Sequence, residues 1–281
     1  MMKGMLTRAL MLALILGLAA ACGDTAEEGG AGDNGDTVNN GGKADNNENF
    51  KAPCEVVSED TGTLVDLSQF NDVIARTVLK VGDDCPRTYG EIMAKMRVTD
   101  ADERSCKVDN PTGGINTMVV SERSQLLDRP EIMRAVVTRQ CNDRKQHELF
   151  FSLFGVHPDR ALPGSVEVMS LDAETGVYNY YTLEGGEWTF FGSSLDLIQP
   201  GAQGSKRCAG CHTGGGPLMK ELDTPWVHWE GHLDIPGASD LVDKNEDLGR
   251  KSSGSTMERL TKDGNRVWNE TRAKAAVALA E

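Results

Sequence analysis

Apolar and polar residues alternate with one period at the two ends of this chain and with another in its middle. Ser68 to Val81 (SQFNDVIARTVLKV) places Phe70, Val73, Ile74 and Val78 at helical spacing, which predicts an amphipathic helix. Tyr89 to Val98 predicts a second, shorter one. Asp100 to Gly114 is polar, contains Pro111 and Gly113-Gly114, and reads as a loop. From about Met118 strand character takes over. Arg134 to Cys141 and His147 to Val156 are rich in Val and Phe, and Ser165 to Leu171 sets Val166, Val168 and Leu171 against polar neighbours. Val177 to Leu183 (VYNYYTL) and Trp188 to Phe191 (WTFF) are aromatic and β-prone. Ala173-Glu174-Thr175-Gly176 and Glu184-Gly185-Gly186-Glu187 supply the turns between them. Short turns joining aromatic-rich strands predict an antiparallel meander. Helical character then returns. Thr224-Pro225 is a helix start, with Thr as N-cap and Pro at the first helical position. Asp234 to Ser255 is charged and punctuated by Gly and Ser, as a loop is. Ser255 to Asp263 and Asn265 to Leu279 read as two helices. The last runs to the end of the chain with no C-cap signal, as a frayed terminal helix or a longer natural product would. The expected fold is α+β, an antiparallel β-meander with helices on either side.

The first fifty residues fall outside that pattern. Lys3 and Arg8 flank an apolar run, Ala9 to Ala21, which is too short to span a bilayer and has the form of an export signal. Ala19-Ala20-Ala21-Cys22 resembles a bacterial lipobox, in which cleavage leaves the cysteine N-terminal and lipidated. An ordinary signal peptide would leave Cys22 unmodified. Gly23 to Lys51 is rich in Gly, Asn, Asp and Glu and has almost no large apolar residues, so it cannot bury enough surface to offset its ordering entropy. The expected organisation is a signal peptide over 1–21, a disordered acidic tether over 22–52 and one folded domain over 53–281. Such a chain would sit in the cell envelope, periplasmic or at the outer membrane, held by its lipid.

Charge narrows the partners. The 281 residues carry a formal net charge of −14, which repels phosphate backbones and argues against nucleic-acid binding. The same acidity fits the steering of a basic redox partner and, equally, a merely solvated surface. Of the seven cysteines, Cys22 belongs to the leader and Cys208 and Cys211 to the motif described next. Cys54, Cys85, Cys106 and Cys141 remain, an even number in an exported chain. Two disulfides are expected there, with three pairings open. None of the four has the C-x-x-C spacing of a zinc site.

Cys208-Ala209-Gly210-Cys211-His212 has the C-x-x-C-H pattern of c-type haem attachment. Two thiols three positions apart reach the two vinyl groups on one porphyrin edge, and the adjacent imidazole falls under the iron as its axial ligand. A zinc ribbon would need a second C-x-x-C, and a thioredoxin-like dithiol would need a βαβ setting. The motif resembles cytochrome c generally. More broadly, the order of meander and then motif over His147 to His212, with VEVMSLDAETGVYNYYTLEGGEWTFF before it, resembles the cytochrome c-prime-beta superfamily, whose members include hydroxylamine-oxidising enzymes. That enzymatic branch cross-links a lysine to its haem. Here no lysine lies between Ser165 and Phe191, and Lys145 is the nearest upstream. The resemblance implies one covalent haem c.

The role of such a haem depends on its second axial position. A Met or His there makes an electron carrier, whereas an open site binds small gases or oxidants. Met219 follows His212 by seven residues, a reach of up to ~24 Å. His228 and His232 share one face of a helix begun at Pro225 and are alternative ligands. Met169, Met257 and His157 carry no distinguishing pattern, and each of these side chains could equally be packing. No G-x-S-x-G, Walker loop or H-E-x-x-H is present. The expected activity is one-electron transfer at the envelope to an unidentified redox partner protein. A haem enzyme or gas-binding protein is the alternative, and a binding lipoprotein merely stabilised by haem is a third.

Overall fold

The computed structural model describes residues 54–102, 114–123, 128–141, 144–198, 208, 212, 214–217 and 237–278. The leader, the tether, Cys22, Cys106, the helix start at Thr224-Pro225 and three candidate ligands (Met219, His228 and His232) lie outside them. The chain is α+β, built on one eight-stranded sheet. Its strands are β1 (Val56–Ser58), β2 (Gly114–Arg123), β3 (Asp128–Cys141), β4 (Arg144–Val156), β5 (Val166–Asp172), β6 (Val177–Glu184), β7 (Glu187–Ser193) and β8 (Arg250–Lys251). They lie in the order β1-β7-β6-β5-β4-β3-β2-β8. Strands β2 to β7 form one continuous antiparallel meander, each beside its sequence neighbour. The meander is therefore longer than its three aromatic strands suggested, and Lys145 falls on β4 within it. The sheet is not wholly antiparallel. β1 pairs parallel with β7 and β8 parallel with β2, so both edges are closed by short strands from distant parts of the chain.

The two turns predicted in the aromatic stretch form as expected. Between β5 and β6 the Asp172 carboxylate accepts the Glu174 N–H at 2.9 Å, and the Gly176 N–H bonds the Asp172 carbonyl at 2.8 Å. Between β6 and β7, Gly185 (φ 59°) and Gly186 (φ 84°) form a two-residue hairpin loop closed by the Glu184–Glu187 pair. Positive φ at both central residues matches the strand twist and is open to glycine at little cost.

Helical segments cover both faces of the sheet, which is why VYNYYTL is almost continuously buried and does not alternate. On the first face, Val73, Ile74, Val78 and Leu79 and the helix α1 (Tyr89–Asp102), through Tyr89, Ile92, Met93 and Met96, pack on Ala135, Val137, Phe151, Val168 and Tyr181. On the second face, the helix α4 (Gly254–Ala278) lays Met257, Leu260 and Trp268 against Phe150, Leu171, Tyr178 and Tyr180. The short helix α2 (Ser194–Ile198) continues directly from β7 onto this face and adds Leu197.

Several helix expectations are corrected. Ser68 to Val81 is not one helix. It is a 3₁₀ turn (Leu67–Gln69) capped by Asp66, an extended residue at Phe70, and then a π-helical turn (Ala75–Leu79). Tertiary hydrogen bonds override the periodicity, because Asp72 and the Ile74 N–H are held by side chains of the sheet. α1 runs four residues beyond Val98, into the predicted loop. The predicted loop from Asp234 to Ser255 contains a helix α3 (Ala238–Lys244), a 3₁₀ turn (Glu246–Leu248) and the edge strand β8. Leu241, Val242 and Leu248 anchor it in the first core. The two C-terminal helices are one, with Gly264 buried inside it. A helical glycine costs only about 1 kcal/mol, which packing of the amphipathic face exceeds.

One disulfide joins Cys54 to Cys85 and ties the start of the folded part to the loop before α1. This is one of the pairings left open by the sequence. Of the other two cysteines, Cys106 is outside the described residues and only the backbone of Cys141 is described.

Candidate haem-attachment site

The motif lies over the second face of the sheet. The His212 N–H bonds the Cys208 carbonyl four residues back at 2.8 Å. Cys208 is half-buried and packs against the second core. Tyr180, on β6, lies beneath, and its ring centroid is 5.4 Å from that of His212 with the planes inclined at 53°. Burial drives the Tyr180 hydroxyl well above its usual range, and the nearby Cys208 adds to the shift, so the phenol stays a neutral donor. Cys211 is outside the described residues.

The loop after His212 is glycine-rich. The Gly215 N–H turns back to the His212 carbonyl at 2.7 Å. Gly215, Gly216 and Pro217 are buried. Gly215 has φ +72°, and a Cβ there would lie 2.7 Å from the Ser194 carbonyl oxygen at the start of α2 and 3.1 Å from the Trp268 ring. A Cβ on Gly216 would collide with Asn265 of α4. The loop is thus wedged between α2, α4 and β6, and at Gly215 the backbone of Ser194 leaves no room for a side chain.

His212 Nδ1 is 2.8 Å from the Gly216 carbonyl oxygen. A carbonyl only accepts, so the neutral ring carries its proton on Nδ1 and leaves the Nε2 lone pair available to a metal. Burial holds the imidazole below its ordinary value, partly opposed by the Gly216 carbonyl and by Glu167, with Arg134 acting in the same direction as burial. A neutral, oriented imidazole is the ligand form a metal requires.

The same face carries a charged pair. Arg134 on β3 is buried, reaches Ser152 at 3.0 Å and Glu167 at 3.3 Å, and lies 5.4 Å over the Phe154 ring. Among the described residues no group of three or more His, Cys, Asp and Glu side chains is set to hold a bare metal ion. No helix among them is long and apolar enough to cross a membrane.

The structure brings Cys208 and His212 together with Tyr180 and Trp268, neither of which sequence reasoning had attached to the motif. Their signal was faint: one of several tyrosines in a strand and a tryptophan in a helix about sixty residues downstream. Of the weaker ligand candidates, Met169 faces the second core beside Tyr180, Met257 is fully buried in that core, and His157 uses Nδ1 to accept the Asp159 N–H at 3.1 Å. No family model, curated protein or solved structure matches the chain.

Two features of these residues fit a covalent haem. His212 holds its proton on the nitrogen away from the ligand position, and its partly exposed ring lies four residues on from the Cys208 thiol. Cys208, Cys211 and His212 would hold it.

Proposed function

We propose that the protein is an exported, lipid-anchored c-type cytochrome that carries one haem on Cys208, Cys211 and His212 and transfers single electrons at the cell envelope. When bound, the haem supplies a one-electron iron couple. The single observation that carries the reading is the 2.8 Å hydrogen bond from His212 Nδ1 to the Gly216 carbonyl within a C-x-x-C-H segment. It gives the imidazole the tautomer and orientation of an axial ligand. The Cys54–Cys85 disulfide supports export, since such bonds persist in oxidising compartments. Cys22 would carry the lipid, the segment from Gly23 to Lys51 would act as tether, and the acidic surface would meet a basic redox partner.

A second reading, a haem protein that binds a small gas or oxidant, is favoured by Arg134 and Glu167. They set a buried guanidinium and the carboxylate it pairs with on the sheet face that carries Tyr180. The two readings separate on an absorption spectrum. The carrier shows a low-spin spectrum and no rapid CO binding when reduced; the gas-binding protein shows a high-spin signal and binds CO readily. Both fall together if the full chain, expressed with a haem-maturation system and denatured, gives a full-length band that a haem stain leaves colourless.

A further inference from the structure

Three successive carbonyls after the motif each accept a hydrogen bond from a different side chain. Trp268 Nε1 of α4 donates to the Gly214 carbonyl, and Tyr180 Oη of β6 donates to the Gly215 carbonyl at 2.9 Å. His212 Nδ1 meets the Gly216 carbonyl at 2.8 Å. Trp268 and Tyr180 are almost completely buried. Their donors approach from separate elements whose own positions are set by the second core. With the carbonyls of Gly214 and Gly215 held, and Gly215 backed by Ser194 and Trp268, the peptide units have little freedom to rotate. The Gly216 carbonyl is then presented to His212 in one direction only. Three glycines alone would not hold it so, because each has open φ/ψ space on both sides of zero.

We infer that Tyr180 and Trp268 are positioning residues for His212, acting through the Gly214 and Gly215 carbonyls to fix the tautomer and direction of its imidazole. The inference rests on the proposed role of His212 as the iron ligand, but the clamp itself belongs to the polypeptide. Tyr180 acts twice, since its ring also packs beside the imidazole. Glu167 and Arg134 act on the charge of the ring, not on its direction.

The test uses the full chain in two states. In haem-free protein at a pH where the imidazole is neutral, the ring nitrogen shifts of ¹⁵N-labelled His212, assigned by their loss in His212→Gln, report the tautomer. Wild type should hold the proton on Nδ1. Tyr180→Phe keeps the ring and removes only the hydroxyl donor, and Trp268→Phe removes the indole donor. Each should raise the minor tautomer roughly tenfold, the scale of one hydrogen bond's net contribution. In haem-loaded protein the same variants should raise the reduction potential of the iron, because an imidazole whose Nδ1–H is held less firmly is a weaker electron donor. Folded variants with unchanged tautomer and unchanged potential would overturn the inference. So would wild-type protein with the proton on Nε2, a result that needs no variant to fold. A colourless haem stain with the tautomer shifting as described would remove the cytochrome reading and leave the clamp standing.

Discussion

On the first face of the sheet, the fully buried Asp72 receives the Tyr181 hydroxyl and the Asn179 amide, each at 2.8 Å. On the second face, the equally buried Tyr180 and Trp268 donate to main-chain carbonyls of a glycine loop. Tyr180 and Tyr181 are adjacent in β6 and point to opposite faces, so two neighbouring residues of one type serve these two ends. The first network joins the Asp72 carboxylate to side chains of the sheet and to the Ala75 N–H, and pins an irregular helical segment onto the sheet. The second uses rigid side chains to fix a backbone that has none of its own. Buried polar groups on one face hold the fold; on the other they aim an imidazole.

That contrast can be broken most severely from the first face. Replacing Cys54 and Cys85 together with Ala should cost about 3–4 kcal/mol, from the 31-residue separation that the disulfide closes. Denaturant unfolding would measure the loss, and the His212 tautomer should stay as in wild type. Asp72→Ala removes the acceptor of three buried donors and should cost about 3 kcal/mol, again with no change at His212. A moved tautomer in either variant would mean that the two faces are coupled.

Smaller effects belong to the second face. Gly215→Ala forces a side chain into a left-handed conformation against the Ser194 carbonyl and should cost about 2 kcal/mol. It should also lower the fraction of chains that acquire haem, read by stain intensity per unit of protein. The smallest effect is on pH dependence. In haem-free protein the folded state holds His212 below its unfolded value of 6.5, so the unfolded chain binds more protons under mild acid. Stability contributed by the neutral ring is present above pH 6.5 and is lost as the pH falls through the depressed folded value. The slope from this one group is at most about 1.4 kcal/mol per pH unit. Urea midpoints of wild type and His212→Gln should diverge in that window and run parallel above it.

Much of the sheet was legible in the sequence, because period-two alternation and the turns at Ala173–Gly176 and Glu184–Glu187 are local signals. The irregular turn at Ala75–Leu79 was not, since its cause is Asp72 meeting strand residues more than a hundred positions away. The edge strands β1 and β8 were missed for the same reason. They are three and two residues long and exist only through their partners. At the motif, the C-x-x-C-H spacing named Cys208, Cys211 and His212 at once, while Tyr180 and Trp268 carried no local mark.

By itself, then, the order of residues determined the chemistry on offer: two thiols and an imidazole at a spacing set by covalent geometry, and strands whose pattern demands a sheet. Only tertiary structure decided which nitrogen of His212 keeps its proton and which side chains hold the glycine loop, because Trp268 and Tyr180 meet Gly214 and Gly215 across 54 and 35 positions of sequence. Hydrogen bonds between distant elements depend on how the helix and the sheet pack, and no local pattern encodes that.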